Sequence, residues 1–342
     1  METVAGSANE SGGLLEVTEL TVAYPTARSI AVPVNRISFR VGAGETLGIV
    51  GESGSGKSMT CRAIMGLVAW PGAIVSGSIR WNGEELVKAS QKRRTAIRGR
   101  EIAMIFQDPT SALNPVFTVG EQIAESLRVH LGYGRPSARR EAISLLDRVG
   151  IPSAADRFGA YPHEMSGGMR QRAMIAAAIA CRPQLILADE PTTNLDVTIQ
   201  DQILNLLADL QRDRGMAMVL VSHDLGVVSQ NARSVAVMYA GYLVERAPTE
   251  ILITGCRHPY TAGLIGALPT IYGARAQLEP IPGQPPELDQ LPAGCPFQPR
   301  CAYGRDACTQ VDMTLSGEPS HQTACPFVTH EVIQAASTGG DL

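Results

Sequence analysis

The sequence predicts an α/β fold with a helical block set into it and a small cysteine-bearing module towards its C-terminal end. Three observations carry this. Short apolar runs, such as Thr46-Leu47-Gly48-Ile49-Val50 and Leu185-Ile186-Leu187-Ala188, read as buried strands. From residue 118 to about 150 the pattern is helical, with no strand signal. From about Pro269 the periodicity fades, prolines crowd between Pro280 and Pro299, and Cys295, Cys301, Cys308 and Cys325 appear.

The bulk composition limits the function classes. A chain of 342 residues can form one large domain or two, with a sizeable core. Its 44% hydrophobic and 18% charged residues are ordinary for a soluble globular protein. A net charge of −4 supplies no basic field, so no nucleic-acid partner is indicated. No run of 18 apolar residues exists, so no transmembrane helix is expected. Residues 1–13 are small and polar, lack the parts of a signal peptide, and read as a disordered tail. The expectation is a cytosolic chain whose thiols stay reduced, so seven cysteines are not a disulfide framework.

Residues 14–23 alternate as a strand, followed by Tyr24-Pro25. The Tyr24 ring either stacks on a nucleotide base or packs on its strand-end neighbours. Residues 36–41 form a second alternating strand, closed by Gly42-Ala43-Gly44. The run 46–50 then feeds Gly51-Glu52-Ser53-Gly54-Ser55-Gly56-Lys57-Ser58, which fits the phosphate-binding pattern G-x-x-x-x-G-K-[ST]. Glycines let successive N–H groups turn inward around phosphate oxygens, and the helix over 58–68, entered through Met59, adds its dipole. In such a loop Lys57 can reach the β- and γ-phosphates, and the Ser58 hydroxyl can ligate Mg²⁺. Chance agreement is small, because Lys57, Lys88 and Lys92 are the only lysines.

Residues 78–83 read as a strand and turn, and the basic cluster 92–100 as solvated surface. Residues 102–106 form a buried strand closed by Gln107, a polar residue at a ligand edge. Residues 108–117 read as a loop, and Thr118 with Glu121 as a capping box. Ser166-Gly167-Gly168 opens a helix running to residue 179; it is either a second anion site or an ordinary cap. The strand 185–188 ends in Asp189-Glu190, adjacent carboxylates that a cation and an attacking water would use. Leu195-Asp196 precedes an amphipathic helix over 197–211. The strand 217–221 ends in Ser222-His223-Asp224, which puts a histidine at a core strand's C-terminal end. Strands over 234–239 and 242–245 and a short helix over 259–267 follow.

GESGSGKS, Gln107, SGGMRQR, LILADEP, Leu195-Asp196 and His223 occur in one order that resembles the nucleotide-binding subunit of ATP-binding cassette (ABC) transporters, over nearly the whole chain. The resemblance implies an ABC-type P-loop NTPase core with an antiparallel β subdomain and a helical subdomain. The nucleotide-binding domain would span 14–268, its helical part about 108–182, and the extension 269–342. It implies ATP and Mg²⁺ as ligands. Tyr24 would stack on adenine, and Gly51 to Met59 would bind phosphates and Mg²⁺. Gln107 would sense Mg²⁺ and the attacking water. Asp189 would support Mg²⁺, and Glu190 would polarise the water. His223 would contact the γ-phosphate. Ser166, Gly167 and Gly168 would bind the γ-phosphate of ATP held by an opposite subunit, across an interface that includes Asp196. Met165 stands where leucine is usual, and Asn194 where a small residue often precedes Leu-Asp. Neither change removes a group that does chemistry.

GETLGIVGESGSGKS, IFQDPTSALNP, HPYTAGLIGALP and GCPFQPRC resemble the oligopeptide/dipeptide branch of importers more closely. That likeness implies an ATP-hydrolysing subunit on the cytoplasmic side of the membrane, powering peptide import. Its partners would be a second, non-identical ATPase subunit, two transmembrane permease subunits and an extracytoplasmic peptide-binding protein. It also implies a [4Fe–4S] cluster on Cys295, Cys301, Cys308 and Cys325. Their spacing alone leaves iron–sulfur, zinc and free thiols open. Cys61, Cys181 and Cys256 read as ordinary packed residues. Import of nickel or another small solute, and a soluble non-transport ABC ATPase, are the alternatives.

Overall fold

The computed structural model describes residues 13–27, 29–193, 195–268, 281–329 and 333. The expected tail 1–13 lies outside them save for Gly13, as do the first twelve residues of the expected extension.

Twelve strands are present among the described residues: β1 (Leu15–Pro25), β2 (Ile30–Val41), β3 (Thr46–Val50), β4 (Ala73–Trp81), β5 (Glu84–Glu85), β6 (Ile102–Ile105), β7 (Leu185–Asp189), β8 (Ala217–Ser222), β9 (Ser234–Tyr239), β10 (Tyr242–Pro248), β11 (Ser316–Glu318) and β12 (His321–Thr323). They make two sheets. One is antiparallel, in the order β2-β1-β4-β5. The other runs β11-β12-β10-β9-β3-β8-β7-β6, with β9, β3, β8, β7 and β6 mutually parallel.

The apolar runs become the parallel centre because both of their faces are covered. Every residue of β3, β7 and β8 is buried. Alternate residues serve opposite cores. Ile186, Ala188, Met218 and Leu220 pack with the helices Val119–Leu131, Arg135–Arg148, Gly167–Ile179 and Val197–Arg214. Leu185, Leu187, Ala217, Val219 and Val221 pack with the antiparallel sheet and the helix Lys57–Ile64.

Three expectations change in detail. The 108–117 loop contains a short helix, Pro109–Ala112, capped by the Asp108 carboxylate through the N–H groups of Thr110 and Ser111. The 118–150 run breaks at Gly132, whose φ of +69° ends the first helix. Only half of the expected capping box forms at its start: Thr118 Oγ1 accepts from the Glu121 N–H at 3.4 Å.

The described part of the extension is built onto the main sheet. β12 pairs antiparallel with β10, Glu245 opposite Thr323. The fully buried Glu245 carboxylate fixes the junction. It accepts from His321 Nε2 at 2.7 Å, from the Arg257 N–H at 2.5 Å and from the His258 N–H at 3.0 Å. A third core joins Phe297, Met313 and Ala324 of the extension to Val237, Tyr239, Val244 and Tyr260.

The parallel register aligns the strand ends. Val50 lies beside Ser222, Asp189 beside Val221, and Ile105 beside Ala188. The segments that follow β3, β6, β7 and β8 therefore meet along one edge of the sheet, where α/β folds bind ligands.

Candidate functional site

The phosphate loop leaves β3 and threads between neighbouring backbones. A Cβ on Gly51 would lie 2.0 Å from the Met238 carbonyl oxygen. Gly56 has φ +108°, and a Cβ there would lie 2.0 Å from the Pro33 oxygen. Only glycine fits either position. Lys57 is buried; its Nζ donates to the Gly51 oxygen at 2.7 Å and the Glu52 oxygen at 2.8 Å. Burial holds its ammonium below the usual lysine range, while the charges of Glu190, Asp189 and Glu52 oppose that shift.

Asp189 closes β7 and accepts from Ser58 Oγ at 2.8 Å. Burial pushes its carboxyl above the ordinary range; the Ser58 hydrogen bond opposes the shift and the Glu190 charge adds to it. A hydroxyl and a carboxylate side by side at a helix start form the hard-oxygen donor set that Mg²⁺ takes, so these residues fit that ion.

Glu190 is the next residue and is buried. Its φ of +46° is in the left-handed region, which costs a residue with a side chain on the order of 1–3 kcal/mol. A hydrogen bond from its N–H to the Val221 oxygen at 3.0 Å helps to hold it there. Three groups converge on its Oε2: Thr193 Oγ1 at 2.7 Å, Gln107 Nε2 at 3.1 Å and His223 Nδ1 at 3.3 Å. The last contact requires the histidine proton on Nδ1. Thr193 was not legible beforehand; its one signal is a hydroxyl three residues beyond a strand-end carboxylate. One cleft is lined by Ser53, Gly54, Gly56, Lys57, Ser58, Met59, Gln107 and Glu190, together with Leu288 of the extension.

Other expected site residues stand outside that cleft. Tyr24 is half-buried, with its hydroxyl 3.6 Å from Met59 Sδ. Gly72 lies so close that a Cβ there would be 2.2 Å from the Tyr24 Cζ. The ring thus packs on its neighbours, next to the loop's helix. Ser166 caps the helix Gly167–Ile179, its Oγ accepting from the Met169 N–H at 3.3 Å. Ser166 and Gly167 are exposed and Gly168 is half-buried. Asp196 is exposed and caps the helix Val197–Arg214 through the Ile199 N–H at 3.0 Å. The two helix starts adjoin, since a Cβ on Gly168 would lie 3.3 Å from Ile199 Cγ2. Asn194 lies outside the described residues.

Cys295, Cys301, Cys308 and Cys325 line a single cavity with His258 and Phe297. Their placement does not by itself support the metal assignment expected for them. Among the described residues, no three His, Cys, Asp or Glu side chains are set to hold a metal ion. The thiols stand on separate turns around the cavity wall. Cys308 lies in the short helix Asp306–Gln310, and Cys295 is tied to it by its N–H to the Cys308 oxygen at 2.9 Å. Burial pushes the Cys295 thiol up to about 11 and raises Cys301. Burial likewise raises Cys61, Cys181 and Cys256, all three buried; Cys61 packs in the second core and Cys181 Sγ lies 3.5 Å from the Ser126 oxygen.

A family model described as ABC transporter matches residues 34–193, and one for the oligopeptide/dipeptide transporter C-terminal region matches residues 244–308. The dipeptide transport ATP-binding protein DppD of Escherichia coli is 48% identical over 303 residues, covering 89% of this chain and 93% of that protein. The chain belongs to the ATP-binding subunits of ABC transporters. The oligopeptide transport ATP-binding protein OppD of Salmonella typhimurium is 45% identical, covering 95% of this chain and 96% of its own. Among solved structures, a dimeric post-hydrolysis state of the ATP-binding cassette MJ0796 bound to ADP and Pi superposes with a TM-score of 0.62 at 26% identity. It covers 69% of this chain and 98% of the other. The ABC match contains the phosphate loop, Gln107, the Ser-Gly-Gly run, Asp189 and Glu190; the C-terminal match contains Tyr260, Arg300, Cys295, Cys301 and Cys308 but not Cys325.

Proposed function

We propose that this chain is the ATP-hydrolysing subunit that drives import of di- or oligopeptides through a membrane permease. The observation that carries the ATPase reading is the convergence on one sheet edge of the Lys57 loop, the Ser58–Asp189 pair and a buried Glu190 held at Oε2 by three groups. The peptide cargo rests on the names of the relatives.

The chemistry follows from the contacts. Lys57 exchanges its two carbonyl partners for the β- and γ-phosphate oxygens of ATP. Ser58, Asp189 and Gln107 would hold Mg²⁺, which neutralises charge on the phosphates. Glu190 is the general base. Its Oε2 is engaged, so Oε1 takes the proton from the attacking water. His223 borders the same carboxylate and meets the γ-phosphate side. Tyr24 flanks the adenine end.

Ser166, Gly167, Gly168 and Asp196 serve another subunit's nucleotide. They lie at adjoining helix starts, exposed except for the half-buried Gly168, do not line this chain's own cleft, and form a ready anion site. A second ATPase subunit, non-identical in the peptide branch, supplies the matching run to this cleft. The segment 109–117, with Val116 71% and Phe117 55% exposed, faces the permease. Among the described residues no helix is long and apolar enough to cross a membrane, which suits a subunit bound at its cytoplasmic surface. A separate binding protein outside the cell would deliver the peptide.

The four thiols are assigned to a [4Fe–4S] cluster. What supports this is their shared cavity and the buried, unpartnered His258 Nε2 on its wall. A cluster of several irons spreads its thiolates wider than one ion does. Protein purified without air should be brown with broad visible absorption; colourless protein with stoichiometric zinc rejects the assignment.

The function is tested in vesicles that contain the chain, its partner ATPase and the permease. Mg-ATP should drive uptake of labelled dipeptide presented by the binding protein. Uptake of nickel chelates in place of peptides would move the cargo, and ATP turnover without any permease dependence would remove transport.

A further inference from the structure

Arg300 belongs to the C-terminal extension, in the short helix Gln298–Arg300, yet its guanidinium reaches the phosphate loop. Its Nη1 donates to Glu52 Oε2 at 2.6 Å and its Nη2 to Glu52 Oε1 at 3.0 Å, a bidentate pair. The remaining N–H groups are also engaged: Nε with the Pro282 oxygen at 2.7 Å, Nη1 with Tyr239 Oη at 3.2 Å, and Nη2 with the Gly283 oxygen at 3.4 Å. The five donors of a guanidinium are thereby all used. The Arg300 side chain is only 6% exposed and that of Glu52 27%, so the pair is partly shielded from water and salt.

Glu52 is gripped a second time. Its backbone N–H donates to Tyr260 Oη at 2.8 Å. That amide is thus turned away from the cradle. Its carbonyl oxygen is one of the two that accept from Lys57 Nζ. Side chain, amide and carbonyl of this one loop residue are therefore each fixed, two of them from beyond residue 258. Phe297, which packs on Tyr239 and Tyr260, also lines the cysteine cavity, so this joint forms a wall between that cavity and the cradle.

We propose that Arg300 and Tyr260 are positioning residues for ATP. They clamp Glu52 so that the loop's N–H groups and Lys57 are already arranged when nucleotide arrives, and the extension is part of the ATP site. Neither residue touches substrate; both act through Glu52. The proposal rests on the phosphate loop being the ATP site, and its test keeps the two apart.

The test uses the full-length chain with Arg300→Lys, Tyr260→Phe, Glu52→Gln and the Glu52→Gln/Arg300→Lys pair. Mg-ATP affinity is measured by fluorescence titration, and turnover at saturating ATP in the assembled transporter. A clamp that preorganises binding predicts roughly tenfold weaker Mg-ATP binding in Arg300→Lys, with saturated turnover within about threefold. Tyr260→Phe should move the same way by a smaller factor. The double variant should be no weaker than the worse single one, because both changes break one contact. Unchanged affinity in variants that fold, or losses that multiply in the pair, overturns the proposal. A lowered melting temperature with unchanged affinity also counts against it. An unaltered chain that fails to bind Mg-ATP would instead remove the ATP-site reading itself.

Discussion

The phosphate cradle and the cysteine cavity are both assembled from segments distant in sequence, and they differ in what holds them. In the cradle, Lys57, Ser58, Gln107, Asp189, Glu190 and His223 each have a polar partner at 3.3 Å or less within the chain itself. In the cavity, four thiols share a wall, burial pushes Cys295 up to about 11, and His258 Nε2 has no partner. The first region is an electrostatic site arranged in advance, of the kind that stabilises developing charge. The second is a cavity in which burial, not a set of polar partners, dominates at Cys295 and His258. Sites of the first kind should lose function when one group is removed; sites of the second kind should lose contents.

Of the changes that compare the two regions, Lys57→Met should have the largest effect. It removes the cradle's buried cation and should lower ATP turnover by roughly 10²–10³, the range for a preorganised donor. The iron content that the proposed cluster requires should stay unchanged, because no part of the cavity is touched. A fall in both would show that the two regions are not separate.

Next in size is the acid response of the cavity wall. Burial holds the His258 imidazole down to about 4, against 6.5 for a free histidine. The folded state keeps this ring neutral while the unfolded chain takes up a proton near 6.5. The associated stability is full above pH 6.5 and is lost as pH falls towards 4, an effect of roughly 3 kcal/mol. Urea midpoints across that window should fall more steeply for the natural chain than for His258→Gln. Equal slopes would contradict the buried, neutral ring.

Gly51→Ala is expected to have the smallest of these effects on stability, about 1–3 kcal/mol. The added methyl meets the Met238 carbonyl, so strand and loop must separate locally. A calorimetric midpoint equal to that of the natural chain would show that the loop can relax.

The same contrast explains what the sequence disclosed. β3, β7 and β8 were legible because strands buried on both faces are written as unbroken apolar runs. Reading the residue after each run found Gln107, Asp189, Glu190 and His223, because parallel strands in register bring their ends together. Contacts that cross the chain left no such mark. Arg300 and Tyr260 meet Glu52 across 248 and 208 residues. β11 and β12 are three residues each, too short to show a period, so the sequence there read only as a small appended module. Tyr24 kept two readings because both place a tyrosine at a strand end, and its packing on Gly72 and Met59 appears only in three dimensions.

One substitution tests the proposed role of Glu190 as the base for ATP hydrolysis most directly. Glu190→Gln keeps the shape of the side chain and removes its capacity to take a proton. Mg-ATP binding should survive and turnover should fall by roughly 10²–10⁴. Turnover equal to that of the natural chain would contradict the role given to this carboxylate.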